Sequence, residues 1–165
     1  MRIETLEVGA LETNCYFIIS NNDLIVVDPG ADYELIKMKI GNYNLKAVFI
    51  THNHYDHKDA LDDLLKDYDV PVNPEEVKGY NYKIISNPGH TRDSISFYFP
   101  KEGKMITGDF LFHESIGRTD LYGGNHSEML ESLEMISSYP DKTIIYPGHG
   151  PETILGHEKE RFKYY

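Results

Sequence analysis

The side chains best suited to chemistry are concentrated in one short stretch, His-Asn-His-Tyr-Asp-His at residues 52–57, which follows an apolar run. In an extended segment alternate side chains share a face, so His52 and His54 can hold one cation. A turn after them would direct Asp56 and His57 toward a second cation. Four metal-ligating side chains at this spacing predict a metal site that carries out a reaction.

Three further candidate ligands each come just after a strand-like apolar stretch. His90 stands in a Pro-Gly-His-Thr turn, Asp109 in a Gly-Asp pair and His149 in a Pro-Gly-His-Gly turn. Loops that leave strand ends carry sites because the sheet beneath them holds them in place. A single His after a Gly is most often a turn residue, but three such positions beside residues 52–57 indicate a shared site.

In their order along the chain, these motifs resemble the metallo-β-lactamase superfamily, and within it the short glyoxalase II-like hydrolases. The stretches that carry the resemblance are Val-Val-Asp-Pro-Gly at 26–30, residues 51–57 and 88–91, Gly-Asp-Phe at 108–110, Gly-Arg-Thr-Asp at 117–120 and Tyr-Pro-Gly-His-Gly-Pro at 146–151. The resemblance implies an α+β fold, an αββα sandwich of two packed mixed β-sheets with helices on the outer faces. The length is that of one domain over residues 1–165.

The resemblance also implies a complete ligand set for two metal ions. It places His52, His54 and His90 on the first ion, Asp56, His57 and His149 on the second, and Asp109 between them. The bridging role agrees with carboxylate chemistry, because two oxygens can span cations about 3.5–4 Å apart. We expect two divalent ions, zinc first, with iron or manganese also accepted by such donors.

The chemistry expected of this site is hydrolysis. Two cations would lower the pKa of a shared water, so that a metal-bound hydroxide could attack a polarised carbonyl near neutral pH. Asp56 and Asp109 are the predicted catalytic carboxylates, and Asp56 would orient the hydroxide. A thioester fits because a thiolate leaves without a general acid. We therefore predict a glyoxalase II-like thioesterase that acts on S-lactoylglutathione, on which glyoxalase II-like relatives act, or on a related acyl-thiol.

Two alternatives remain open from the sequence. A mononuclear iron oxidoreductase of the persulfide dioxygenase kind shares this fold and would use only His52, His90 and Asp109. A non-catalytic metal-binding module is the other alternative, which the complete ligand set disfavours.

Substrate contacts are predicted at four polar side chains near the motifs: Lys58, Arg92, Arg118 and Tyr122. A solvated charge is the alternative for the basic residues, and Arg118 has the further alternative of an internal pair with Asp120.

Several other polar residues are open to a structural interpretation. Asp28 is expected to orient a ligand, or else to be a plain turn residue. His113, His126 and His157 are expected at the surface, and Cys15 in the core.

Composition limits the classes of partner. The formal net charge of −11 argues against nucleic acid, whose binding depends on Lys and Arg. No window is apolar for long enough to cross a bilayer, so no membrane role is expected. A single cysteine excludes an internal disulfide, and the N-terminus has no apolar secretory stretch, so we expect a cytoplasmic protein with a small-molecule thioester as its partner.

The elements that must position these residues follow from hydrophobic periodicity. Strands are predicted at 3–8, 15–20, 24–28, 46–51, 70–72, 83–86, 94–99, 104–107 and 143–146. Helices are predicted at 33–40, after residue 60, at 126–138 and at 153–164. In the first helix Leu35, Ile36, Met38 and Ile40 are expected to share the buried side. Asn125, with Glu128 three residues later, predicts the cap of the third helix.

Overall fold

The computed structural model describes residues 1–165 as two compact units, residues 1–81 and residues 82–165. The first unit is built on a four-stranded sheet in the order β1-β2-β3-β4. Its strands are β1 (Arg2–Val8), β2 (Thr13–Ser20), β3 (Asp23–Val27) and β4 (Asn44–Phe49). The first three strands pair antiparallel, whereas β3 and β4 are parallel.

Helix α1 (Tyr33–Ile40) makes the crossover that a parallel pair such as β3 and β4 requires. Its buried side consists of Ile36 and Ile40, which are four residues apart and therefore share a face. The expectation that Leu35 and Met38 lie on that side is wrong, because their side chains are 49% and 77% exposed. Helices α2 (Tyr55–Lys58) and α3 (Leu61–Asp67) complete the unit.

The second unit is built on a five-stranded sheet in the order β11-β10-β7-β6-β5. Its strands are β5 (Lys83–Ser86), β6 (Ile95–Phe99), β7 (Lys104–Gly108), β10 (Ile144–Pro147) and β11 (Thr153–Ile154). Strands β7 and β10 are parallel and the other pairs are antiparallel. A separate two-stranded hairpin is formed by β8 (Leu111–Phe112) and β9 (Ser115–Ile116).

The helices of the second unit are α4 (His126–Ile136) and α5 (Leu155–Lys159), followed by a 3-10 turn (Phe162–Tyr164). The predicted cap of α4 is confirmed, since Asn125 Oδ1 accepts bonds from the backbone N–H groups of Ser127 and Glu128 at 3.0 and 3.3 Å. Met129, Leu133 and Ile136 belong to the core of this unit.

Two predicted elements are wrong. The stretch 70–72 forms only one isolated β-bridge, between Val72 and Val48, and is therefore not a strand. Thr153 and Ile154 were predicted to begin a helix over 153–164. They form strand β11 instead and pair with β10, because β-branched residues suit the edge of a sheet. The short helix α2 and the β8–β9 hairpin were not predicted.

Each unit brings polar residues to the carboxyl ends of its parallel strand pair. Asp28 follows β3 and His52 follows β4 in the first unit, while Asp109 follows β7 and His149 follows β10 in the second. The carboxyl ends of parallel strands are where open α/β sheets place their sites. No helix has the length and apolar character that a membrane span would need.

Candidate metal centre

The first unit carries four of the predicted ligands, His52, His54, Asp56 and His57, called here the N-terminal ligand set. Strand β4 ends at Phe49, the chain bends at Thr51 and His52, and after an extended His54 it becomes helical at Tyr55. His52 Nε2 lies 3.0 Å from His54 Nδ1, and His57 Nε2 lies 3.5 Å from Asp56 Oδ2. The set therefore falls into two adjacent pairs of donor atoms.

Asp28 supports this set through hydrogen bonds to His57 and to Thr51, the residue before His52. Its carboxylate is buried and accepts hydrogen bonds from the Thr51 backbone N–H at 2.7 Å, from Thr51 Oγ1 at 2.7 Å and from His57 Nδ1 at 2.9 Å. Because a carboxylate only accepts, Nδ1 of His57 is the protonated nitrogen and Nε2 is the nitrogen that can ligate. Asp28 has a φ of 49°, a strained conformation that these three bonds hold in place.

The turn after Asp28 packs directly on α2. A Cβ added to Gly30 would lie 1.6 Å from the backbone oxygen of Asp56, so only glycine permits this approach. Thr13 Oγ1 also donates to Asp56 Oδ2, at 3.2 Å. Contacts from β2 and from the β3–α1 turn thus fix the position of the Asp56 carboxylate.

The second unit carries the other three predicted ligands, His90, Asp109 and His149, called here the C-terminal ligand set. Asp109 Oδ2 lies 3.6 Å from His90 Nε2, and Asp109 Oδ1 lies 3.6 Å from His149 Nε2. The two oxygens of one carboxylate therefore point to two different histidines. This is the arrangement that a bridging ligand needs.

The loop of residues 117–118 orients the C-terminal ligand set. His90 Nδ1 donates to the backbone oxygen of Arg118 at 2.8 Å, which makes Nε2 the ligating nitrogen. A Cβ on Gly117 would lie 1.8 Å from the backbone oxygen of Asp109 and 3.0 Å from the His90 ring. One glycine thus lets the loop contact two of the three ligands.

Helix α4 supports the turn that precedes His90. The Asn125 backbone N–H donates to the Gly89 oxygen at 2.8 Å. A Cβ on Gly89, whose φ is +143°, would lie 2.5 Å from the Cα of Met129. The sequence did not predict that Gly30, Gly89, Gly117 and Thr51 support the ligands, although each lies within or next to a ligand motif.

The four predicted substrate contacts lie in exposed or half-buried positions. Lys58 Nζ donates to Asn53 Oδ1 at 2.8 Å. Arg118 forms a bidentate pair with Asp120 at 2.7 and 2.8 Å, and this hydrogen bonding lowers the pKa of Asp120 to about 2. Arg92 is exposed and Tyr122 is fully exposed. The internal alternative for Arg118 is therefore present, and contact of these side chains with substrate stays a prediction.

A cavity of about 210 Å³ opens beside Asp56 in the first unit. Its wall is mainly apolar, with Val8, Ala10, Leu11 and Tyr55 among its lining residues. Leu11 and Tyr55 are 51% and 67% exposed, so apolar surface faces solvent next to a predicted ligand.

The geometry agrees with a family comparison that covers most of the chain. The family model described as the metallo-beta-lactamase superfamily matches residues 8–83 and 75–149. The chain belongs to the metallo-β-lactamase superfamily. The resemblance inferred from the sequence motifs is thereby confirmed.

Relatives of known name include hydrolases. A probable metallo-hydrolase of Bacillus subtilis, YqgX, is 30% identical and the alignment covers 98% of this chain and 96% of that protein. The hydroxyacylglutathione hydrolase GloC of Haemophilus influenzae is 28% identical, with 96% and 95% covered. The hydroxyacylglutathione hydrolase of Bartonella quintana is 34% identical over 68% of this chain and 51% of its own length. The family and these relatives support a metal-dependent hydrolase.

Solved structures share the fold over nearly the whole chain. BLEG-1, described as a B3 metallo-β-lactamase, matches with a TM-score of 0.93 at 27% identity and covers 99% of both chains. TTHA1623, solved in a di-iron-bound form, matches with a TM-score of 0.83 at 27% identity over 94% of this chain and 96% of its own. The predicted fold class is confirmed, and the family with its His and Asp donors implies divalent metals.

Proposed function

We propose that the protein is a dinuclear metal-dependent hydrolase that cleaves a small thioester, S-lactoylglutathione or a related acyl-thiol. The observation that carries the proposal is the geometry of Asp109, whose Oδ1 and Oδ2 each lie 3.6 Å from a different histidine. A site for one ion needs only one of these oxygens. A carboxylate flanked by two imidazoles is suited to two ions.

The donor atoms fit ions of this kind. Two ligands bound 2.0–2.2 Å from a tetrahedral ion lie roughly 3.4 Å apart. The donor pairs of the N-terminal ligand set are separated by 3.0 and 3.5 Å and those of the C-terminal set by 3.6 Å. We assign His52, His54 and His90 to the first ion, Asp56, His57 and His149 to the second, and Asp109 to both. Zinc is the first expectation, with iron or manganese as alternatives.

The chain's own residues hold this chemistry in position. When bound, two divalent ions supply ionised water at neutral pH and polarise a carbonyl. Asp28 and Thr51 keep the His57 and His52 rings in one orientation, and Thr13 does the same for the Asp56 carboxylate. With the ligands fixed before substrate arrives, little reorganisation remains during the reaction.

The thioester assignment rests on the leaving group and on the relatives. A thiolate departs without a general acid, and relatives named hydroxyacylglutathione hydrolase match over 96% and 68% of the chain. The apolar cavity beside Asp56 has a size suited to a short acyl group. Lys58, Arg92, Arg118 and Tyr122 are the proposed contacts to the rest of the substrate, and the two units together make up the proposed single hydrolase domain.

The test combines a metal count with an assay of thiol release. Purified protein that is loaded with zinc and then dialysed against zinc-free buffer should retain two tightly bound ions per chain and release thiol from S-lactoylglutathione. Asp109→Asn should lose activity by a factor of about 10³, since an amide has one acceptor oxygen and no charge. Asp141→Asn, which changes an exposed aspartate of the same unit whose partner Lys159 is not a proposed substrate contact, is the matched control. One ion per chain, or no thiol release from any thioester, would contradict the proposal.

A second candidate is the mononuclear iron oxidoreductase of the persulfide dioxygenase kind. The observation in favour of iron is that a structural neighbour, TTHA1623, was solved in a di-iron-bound form; a single ion per chain would distinguish this candidate from that neighbour. It would use His52, His90 and Asp109 alone. Iron at one ion per chain, together with oxygen uptake on a persulfide, would favour it over the hydrolase.

A further inference from the structure

Three ligand-type side chains outside both ligand sets meet on the surface of the second unit. His113 and Glu114 form the tip of the β8–β9 hairpin, and His157 belongs to α5. Glu114 and His157 are 43 residues apart in sequence. All three are exposed, as expected for His113 and His157, but their meeting was not predicted.

One distance within this cluster is that of two ligands on a single metal ion. His157 Nε2 lies 3.2 Å from Glu114 Oε1, close to the roughly 3.4 Å expected between two ligands of one tetrahedral ion. The His113 and His157 rings are stacked, with centroids 5.8 Å apart and an angle of 13° between their planes. One ligand atom from each of the three residues can be chosen so that all lie within 4.8 Å of one another.

A buried carboxylate fixes the cluster in advance. Glu158, only 1% exposed, accepts a hydrogen bond from the Glu114 backbone N–H at 3.0 Å and from Thr153 Oγ1 at 2.6 Å. It therefore ties the hairpin tip to α5 and β11. Because Glu158 joins α5 to the backbone of the hairpin tip, less conformational entropy is lost when an ion binds between these two elements.

Space for an ion and its waters is available beside the cluster. A cavity of about 470 Å³ is lined by His113, Ile144, Glu152, Thr153, Ile154 and His157. Both histidines of the cluster line this cavity, and Glu152 contributes a carboxylate to its wall. An ion held by three protein ligands could keep water at its remaining positions.

We propose that His113, Glu114 and His157 form a surface binding site for a divalent ion of the zinc, nickel or copper class. Imidazole nitrogens suit these ions, whereas calcium and magnesium prefer a shell of oxygens. The site shares no residue with either ligand set. The guanidinium of Arg161, 3.9 Å from Glu114 Oε1, competes with the ion for that carboxylate and limits its affinity.

Nickel titration of the purified full-length protein tests this site. Ni²⁺ binding is measured by equilibrium dialysis and calorimetry on wild type, His113→Ala, His157→Ala and the double variant, after zinc loading and removal of weakly bound zinc by dialysis. Wild type should bind one more ion per chain than the double variant, and each single variant should weaken that ion at least tenfold. His126→Ala removes an exposed histidine outside the cluster and is the matched control.

The outcomes separate this site from the proposed hydrolase centre. Glu114→Gln keeps the shape of the side chain and removes its charge, so it should weaken nickel without changing thiol release. Equal nickel binding by wild type and the double variant, or an equal loss in His126→Ala, would overturn the proposal. Far-UV circular dichroism and the count of the other two ions verify that each variant is folded. Thiol release is measured separately, so a negative result there leaves the surface site standing.

Discussion

At the scale of single residues, Asp28 is bonded to the predicted ligand His57 without itself being a predicted ligand. We predict that Asp28→Asn weakens zinc by about 10–100-fold, the usual cost of losing a partner that orients a ligand. The amide has one acceptor oxygen for the three donors that the carboxylate serves. Competition with a chelator measures the affinity. Asp23→Asn is the control, since Asp23 is a half-buried aspartate of the same unit whose side chain bonds to Asn44. Equal affinities for the Asp28 variant and wild type would contradict the prediction.

A second prediction at this scale concerns the two metal positions. Asp109→Ala should lower occupancy of both ions, because one carboxylate is assigned to both, whereas His54→Ala should mainly weaken the first. Elemental analysis after dialysis against a fixed zinc concentration gives the count per chain. Asp120→Ala should keep both ions, and an Asp109→Ala protein that retains one ion at full occupancy would show that the carboxylate does not bridge.

Residue types and spacing were sufficient to nominate all seven candidate ligands, because metal-ligating side chains rarely cluster without cause. They were not sufficient for the glycines that support them. The contact of Gly30 with the backbone of Asp56, and that of Gly117 with Asp109, depends on how loops fold onto each other. That packing leaves no periodic signal in the sequence, although Gly30 and Gly117 both lie within the motifs.

At the scale of elements, the approach of the β3–α1 turn to α2 determines where Asp56 and His57 lie. Gly30→Ala should lower the melting temperature and the occupancy of the second ion together, because its Cβ would overlap the Asp56 carbonyl and push α2 away. Gly103→Ala is the matched control: its φ is +62° but nothing lies within 4 Å, so strain alone should cost about 1 kcal/mol. Thermal melting with metal analysis compares them. Unchanged metal occupancy in Gly30→Ala would contradict this role.

Tyr80 links two strands of the first unit and gives its stability a pH dependence. Its hydroxyl donates to the backbone oxygens of Ile18 and Asp23 at 3.1 and 2.7 Å, and burial raises its pKa to about 12. A raised pKa favours the neutral form in the folded state, so this stabilisation is complete below the unfolded pKa of about 10 and is lost as the pH rises from 10 to 12.

Replacement of this hydroxyl should remove that dependence. Tyr80→Phe should be less stable than wild type at pH 8, and the difference should shrink between pH 10 and 12. Urea unfolding at several pH values measures it, with the fully exposed Tyr122→Phe as control. A difference that stays constant over this range would contradict the prediction.

The elements themselves were largely predictable where periodicity is strong. Strands β1 to β4 and helix α1 fall close to their predicted ranges, since alternating or continuous apolar runs have few other interpretations. Prediction failed where tertiary pairing decides. Thr153 and Ile154 extend a sheet edge rather than a helix, and residues 111–116 form a hairpin too short to show a period.

At the scale of the whole molecule, we expect the charges to affect which thiol the proposed hydrolase accepts. The chain has a formal net charge of −11, and Lys58 and Arg118 already bond to Asn53 and Asp120. Because these two proposed substrate contacts already have partners within the chain, we expect them to add little to the binding of the glutathione carboxylates, and binding is expected to centre on the acyl carbonyl. Truncation of the thiol part of S-lactoylglutathione should change kcat/KM by less than about tenfold, roughly 1.4 kcal/mol.

Steady-state kinetics with the intact and the truncated thioester measures this change in kcat/KM. The kcat/KM of the Arg92→Ala variant for S-lactoylglutathione serves as comparison. A loss of a thousandfold on truncation would instead show a dedicated glutathione site. Lys58, Arg92 and Arg118 would then be the first residues to replace.

The only cysteine of the chain lies in β2, the strand next to β3, which Asp28 follows. Cys15 is fully buried, and burial raises the pKa of its thiol well above the usual value. A thiol reagent can reach it only when this sheet opens, so the labelling rate measures that opening. The labelling rate of Cys15 is therefore a built-in probe of local unfolding. A comparison of this rate with and without added metal measures how much metal binding stabilises the first unit.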